Sequence, residues 1–82
     1  VPSRYDTVYK AGIVYQVLGE SDKALEQFLI VDSHQSTRLD VKLEIARIYL
    51  DKNQIFQADN YLNRVLRKDP QNKEALSLRQ TI

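Results

Sequence analysis

Tyr15 is followed nine residues later by Ala24, and 34 residues on the same pair returns as Tyr49 and Ala58. At the same shift Gly12 falls on Ala46, Gly19 on Asn53, Phe28 on Leu62 and Val31 on Val65. A fixed period of this kind restricts the fold more than composition does, because each repeated unit can bury its apolar face only by stacking on a neighbour. With 82 residues, the chain has space for two such units and a fraction, near the low end for an independent core.

Periodicity inside the units is helical. Pro2 and Ser3 open a first helix, with Ser3 and Asp6 spaced as a variant of the capping box. Val8, Ala11, Gly12, Tyr15 and Leu18 then recur at three- and four-residue steps and give one buried face. Gly12 costs about 1 kcal/mol relative to Ala in a helix interior, so its presence points to close helix approach. Gly19 ends this helix. A second is expected over residues 21–32, burying Ala24, Leu25, Phe28 and Val31, and the short link forces the two to lie antiparallel. Residues 33–37 form a polar break. Thr37, with Asp40 three residues on, is placed to cap a third helix whose inner face is Val41, Ile45, Ala46, Ile48 and Tyr49. Asn53 marks the next turn, since Asn follows Gly in tolerance of a left-handed backbone. A fourth helix is expected over 54–68 with Ala58, Tyr61, Leu62, Val65 and Leu66 inward. Asp69-Pro70 reads as a stop and a start, and 73–80 as a short fifth helix burying Ala75, Leu76 and Leu78.

Composition closes off several classes. Hydrophobic residues at 43% and charged residues at 28% are ordinary for a globular chain, and no apolar run approaches a membrane span. There is no secretory leader pattern; with no cysteine there is no disulfide framework and no thiolate chemistry, and with no methionine, even at position 1, the chain reads as a segment of a longer protein. The compartment stays open, with the cytoplasm slightly favoured. A net charge of +1 argues against a general polyanion binder, although residues 1–41 hold four Lys or Arg against six Asp or Glu and residues 42–82 hold eight against five. Part of the second excess, Arg64, Arg67 and Lys68, closes the fourth helix, where cations complement the helix dipole. Nucleic acid is not the expected partner.

The repeated skeleton resembles the tetratricopeptide repeat (TPR), a 34-residue helix, tight turn and antiparallel helix. Gly12, Tyr15, Gly19, Ala24 and Phe28 carry the resemblance in the first unit; Ala46, Tyr49, Ala58, Asp69 and Pro70, with Asn72 after them, carry it in the second. The units cover about 5–38 and 39–72 of a single domain, and 73–82 is a cap or the opening of a third unit. The chain departs from the pattern at Val8 and Lys42 in the tryptophan-like position, at Ser36 where the family places a proline, and at Leu62 for the second aromatic.

What the resemblance implies is an all-α solenoid fragment of about five helices whose concave groove is lined by the first helix of each unit. On that template the groove side chains are Tyr9, Lys10, Ile13, Gln16 and Val17 (with Asp6), then Asp40, Leu43, Glu44, Arg47 and Leu50 (with Asp51), and Glu74, Ser77 and Leu78. Tyr9, Ile13 and Val17, spaced by four, form an apolar stripe apart from the core face. The family members that grip acidic chaperone tails use a cationic clamp, and the matching positions here are Tyr9, Ile13, Glu44, Glu74 and Leu78, so a chaperone tail is not the expected ligand.

No catalytic constellation is expected. His34 is the single histidine, and its neighbours Asp32 and Ser33 cannot converge on a substrate as groups from separate elements would. No ligand cluster for a metal and no glycine-rich phosphate loop is present, so no cofactor is expected either. The expected function is a protein-interaction scaffold that presents its groove to a peptide or helix of another protein. The alternatives are self-association, through helix exchange at 33–37 or head-to-tail stacking, and a regulatory segment of a larger enzyme.

Overall fold

Ser3 starts the first helix as its sequence requires. Its hydroxyl accepts the N–H of Asp6 at 3.3 Å, and the Asp6 carboxylate accepts the N–H of Ser3 at 3.3 Å, a reciprocal capping box. The structure is a computed structural model that describes residues 3–82; Pro2 lies outside the described residues. Among those residues the chain is all-α, with α1 Arg4–Val17, α2 Ser21–His34, α3 Leu39–Asp51, α4 Ile55–Lys68 and α5 Lys73–Arg79, and no strand. It divides into two compact units, residues 1–41 and 42–82, with α3 beginning at the end of the first.

The 34-residue period of the sequence is present in the backbone bond by bond. In the first unit Gly19 N–H donates to the Gln16 carbonyl at 3.1 Å and Glu20 N–H to Tyr15 at 2.9 Å. In the second, Asn53 N–H donates to Leu50 at 2.9 Å and Gln54 N–H to Tyr49 at 2.8 Å. Both are Schellman endings, which require a left-handed residue after the helix; Gly19 has φ 78° and Asn53 φ 58°. The links after the second helices match as well: Arg38 N–H donates to Gln35 at 3.1 Å, and Asn72 N–H to Asp69 at 3.0 Å.

In the first unit α1 and α2 pack antiparallel over Gly12, Ala24, Phe28 and Val31. The absent side chain of Gly12 is what admits the Phe28 ring: a Cβ at position 12 would lie 2.7 Å from Phe28 Cε1 and 2.9 Å from Cζ. In the second unit Ile45, Ala46, Ile48, Ala58, Leu62, Val65 and Ala75 are buried, and Tyr49 and Tyr61 meet with ring centroids 6.0 Å apart. Each fully buried Val, Leu, Ile or Phe contributes about 1.5–3 kcal/mol, so these short lists are the main source of stability. Every buried side-chain nitrogen and oxygen among the described residues has a hydrogen-bond partner.

Several expectations need correction. α2 runs two residues further than 32, because the Ser33 hydroxyl donates to the Ile30 carbonyl at 2.8 Å and the His34 ring stacks on Tyr5 at 4.8 Å. α3 begins at Leu39, so Thr37 stands one residue too early to be its cap, and the Asp40 carboxylate is held by Arg38. Pro70 sits in the turn before α5, not in its first turn. Asn72 is the cap, accepting the Ala75 N–H at 2.9 Å, and α5 ends at Arg79 rather than 80. Leu18 and Leu76, expected inward, are exposed. Leu18 is the residue before the left-handed glycine, where the backbone is already leaving the core face.

Candidate functional site

The apolar stripe expected on α1 is graded along the helix. Tyr9 belongs to the packed end: its ring lies 5.6 Å from that of Phe28, tilted, and the Arg38 guanidinium sits 4.8 Å from its centroid. Ile13 is half-buried. Val17 is 81% exposed, with Val14 at 56% and Leu18 at 65%, three residues spaced to share one helical face at the C-terminal end of α1. Of the other first-unit positions, Lys10 is exposed and Gln16 half-buried.

Arg38, which the sequence did not single out, is the electrostatic centre of the first unit. Its Nη2 donates to Asp40 Oδ2 at 2.8 Å and Nε to Asp40 Oδ1 at 3.3 Å, a fork on one carboxylate. It also donates to Gln35 Oε1 at 3.2 Å and lies 3.8 Å from Asp6. The hydrogen bond to Arg38 holds the Asp40 carboxyl below its ordinary range, and the same bond raises the Arg38 guanidinium. Asp40 therefore anchors the turn before α3 instead of standing ready for a ligand.

In the second unit an open cleft of about 430 Å³ is formed by the end of α3, the following turn, the first residue of α4, and the end of α5 with the residues after it. Leu50, Ile55 and Leu78 supply its apolar lining, and Asp51, Asn53 and Thr81 its polar one. Arg47 also lines it and pairs with Glu44, one helical turn back on α3, and with Glu74 of α5. The expected groove residues Arg47 and Leu50 are thus brought to one place, with Glu44 held against Arg47. Leu43 is not available: it is 5% exposed, because α3 buries Val41, Lys42, Leu43, Ile45, Ala46 and Ile48 and so has little free circumference.

Asn53, Ile55 and Thr81 were not legible as lining. Asn53 was assigned to the turn, which it makes, and nothing in its identity signals a cleft beside it. Among the described residues, no group of three or more His, Cys, Asp or Glu is gathered as a metal ion would need, and no helix is long and apolar enough to cross a membrane. Compared with protein-family models, curated proteins and solved structures, the chain matches none of them.

Proposed function

We propose that this chain is a TPR-type module that binds another polypeptide, with the C-terminal end of α1 as its main contact. The observation that carries the reading is the patch of Val14, Val17 and Leu18, each more than half exposed on one face of a well-capped helix. Exposed apolar residues scattered singly need no explanation, but a clustered patch favours a protein contact. The matching Schellman endings and turn bonds at a 34-residue spacing support the family assignment, since they repeat the helix-turn-helix unit in geometry as well as in residue type.

Self-association is the second reading. It is favoured by the opposite charge balances of the two compact units, which divide where the sequence turns from net acidic to net basic. Partner capture with Val17→Asp tests the first reading. Position 17 is exposed, so helicity should be unchanged, while a polypeptide retained by the parent chain from its own cell extract should be lost. Retention at parental levels would remove the α1 surface from the proposal.

A further inference from the structure

The cleft of the second unit has its own electrostatic character. Arg47 supplies a positive charge but already meets two carboxylates, those of Glu44 and Glu74. Asp51 lines the cleft, is exposed, and has no hydrogen-bond or ion-pair partner among the described residues. Among the lining residues Arg47 and Asp51 balance; with the adjoining Glu44, Glu74 and Lys52 the surroundings hold two positive charges against three negative, and Asp51 is the carboxylate left without an ion-pair partner. Asp51 is also the last residue of α3, a helix with no basic residue in its last turn. The carbonyls of Ile48, Tyr49 and Leu50 there are capped by the N–H groups of Lys52, Gln54 and Asn53, but this end is still the negative pole of the helix dipole, so the Asp51 carboxylate beside it favours a cation. Lys52, the next residue, is not among those lining the cleft.

We propose that this cleft receives a lysine or arginine side chain of a partner polypeptide, with its aliphatic stem on Leu50, Ile55 and Leu78 and its charged head at Asp51. Long cationic side chains bury their methylenes on apolar surface while keeping the head at a polar edge, and the cleft lining supplies residues of both kinds. An anionic ligand is disfavoured by the same charges. It would have to displace Glu44 or Glu74 from Arg47 and then face Asp51. The volume, about 430 Å³, suits one or two side chains and not a whole helix. The inference rests on the reading of the chain as a polypeptide-binding module, but uses a surface separate from the end of α1.

The test is an NMR titration of the 82-residue chain with the blocked pentapeptide acetyl-Ala-Leu-Lys-Leu-Ala-amide and with versions carrying norleucine or glutamate at the centre. The lysine peptide should shift the backbone amides of residues 50–55 and 78–81. The norleucine peptide, with a similar stem and no charge, should bind roughly three- to fivefold more weakly, the size of one exposed charge pair. Asp51→Asn should weaken the lysine peptide by a similar factor and leave the norleucine peptide unchanged. Equal or tighter binding of the glutamate peptide, indifference of the lysine peptide to Asp51→Asn, or no shift at these amides with any peptide would overturn the proposal. Any of these results leaves the Val17→Asp capture experiment untouched, so the two readings fail separately.

Discussion

Gly12 and Phe28 form the contact on which the first unit closes. A methyl group at position 12 would fall within 3.0 Å of three ring atoms of a side chain with no exposed surface, so the ring has nowhere to swing. Overpacking of this kind costs about 1–3 kcal/mol, and the helix propensity gained by Gly→Ala returns about 1. Gly12→Ala is therefore expected to destabilise by up to about 2 kcal/mol in chemical denaturation. The equivalent positions of the second unit hold Ala46 and Leu62, both buried, a larger residue beside a smaller one. Gly12→Ala should accordingly cost little or nothing in a Phe28→Leu background, and an additive double mutant would count against the contact. Gly12 was legible because a mid-helix glycine has few other uses. Arg38 was not, because its partners Asp6, Tyr9, Gln35 and Asp40 lie on α1, the turn and α3, and no spacing announces that they converge. Its effect has a pH signature. Asp40 has a folded pKa below its unfolded value, so the pair's stabilisation is present above the ordinary carboxylate pKa, about 4, and is lost as pH falls through the lowered folded value. The stability difference between the parent chain and Asp40→Asn should thus be constant at neutral pH and shrink below about pH 4; since Asp40 is half exposed, it will be modest throughout.

At the scale of the elements, the turns were the most legible feature and the helix ends the least. Gly19 and Asn53 announced left-handed positions, and both adopt them. The end of α2 escaped because Ser33 and His34 look like loop residues until their local partners, the Ile30 carbonyl and the Tyr5 ring, are known. The link at 35–38 contains neither Gly nor Pro, yet it closes with the same turn hydrogen bond as 69–72, where Pro70 occupies the position that Ser36 has in the first link. Proline is favoured at this second turn position, and it restricts the unfolded chain. Ser36→Pro sets a gain of about 0.5 kcal/mol from that restriction against loss of the interaction that Ser36 makes, so the denaturation midpoint should move little at unchanged m-value; a fall of more than about 1 kcal/mol would mean that the two links are not equivalent. The cap of α5 is a second local test. Removing an Asn cap costs about 1 kcal/mol, and for a seven-residue helix that loss should appear as faster amide exchange confined to residues 75–80 in Asn72→Ala.

For the molecule as a whole, helical periodicity and turn residues were enough to anticipate an all-α chain of about five helices, because small, aromatic and turn residues stand where backbone geometry dictates. The candidate surfaces were legible only in part. Val17 was identified from its spacing, but Val14 and Leu18 were not, since an apolar residue beside the core stripe looks the same in sequence whether it is covered or open. Leu43 shows the converse, a residue assigned to surface that a deeply buried helix absorbs. The central claim is that the exposed end of α1 is reserved for a different polypeptide. The most direct test needs no knowledge of that partner: the molar mass of the chain in solution, measured by light scattering over a wide range of concentration. A surface reserved for another protein predicts about 9.6 kDa at every concentration. A mass of twice that, or one that rises with concentration and returns to the monomer value in Val17→Asp, would contradict the claim and assign the α1 surface to contacts between copies of the chain.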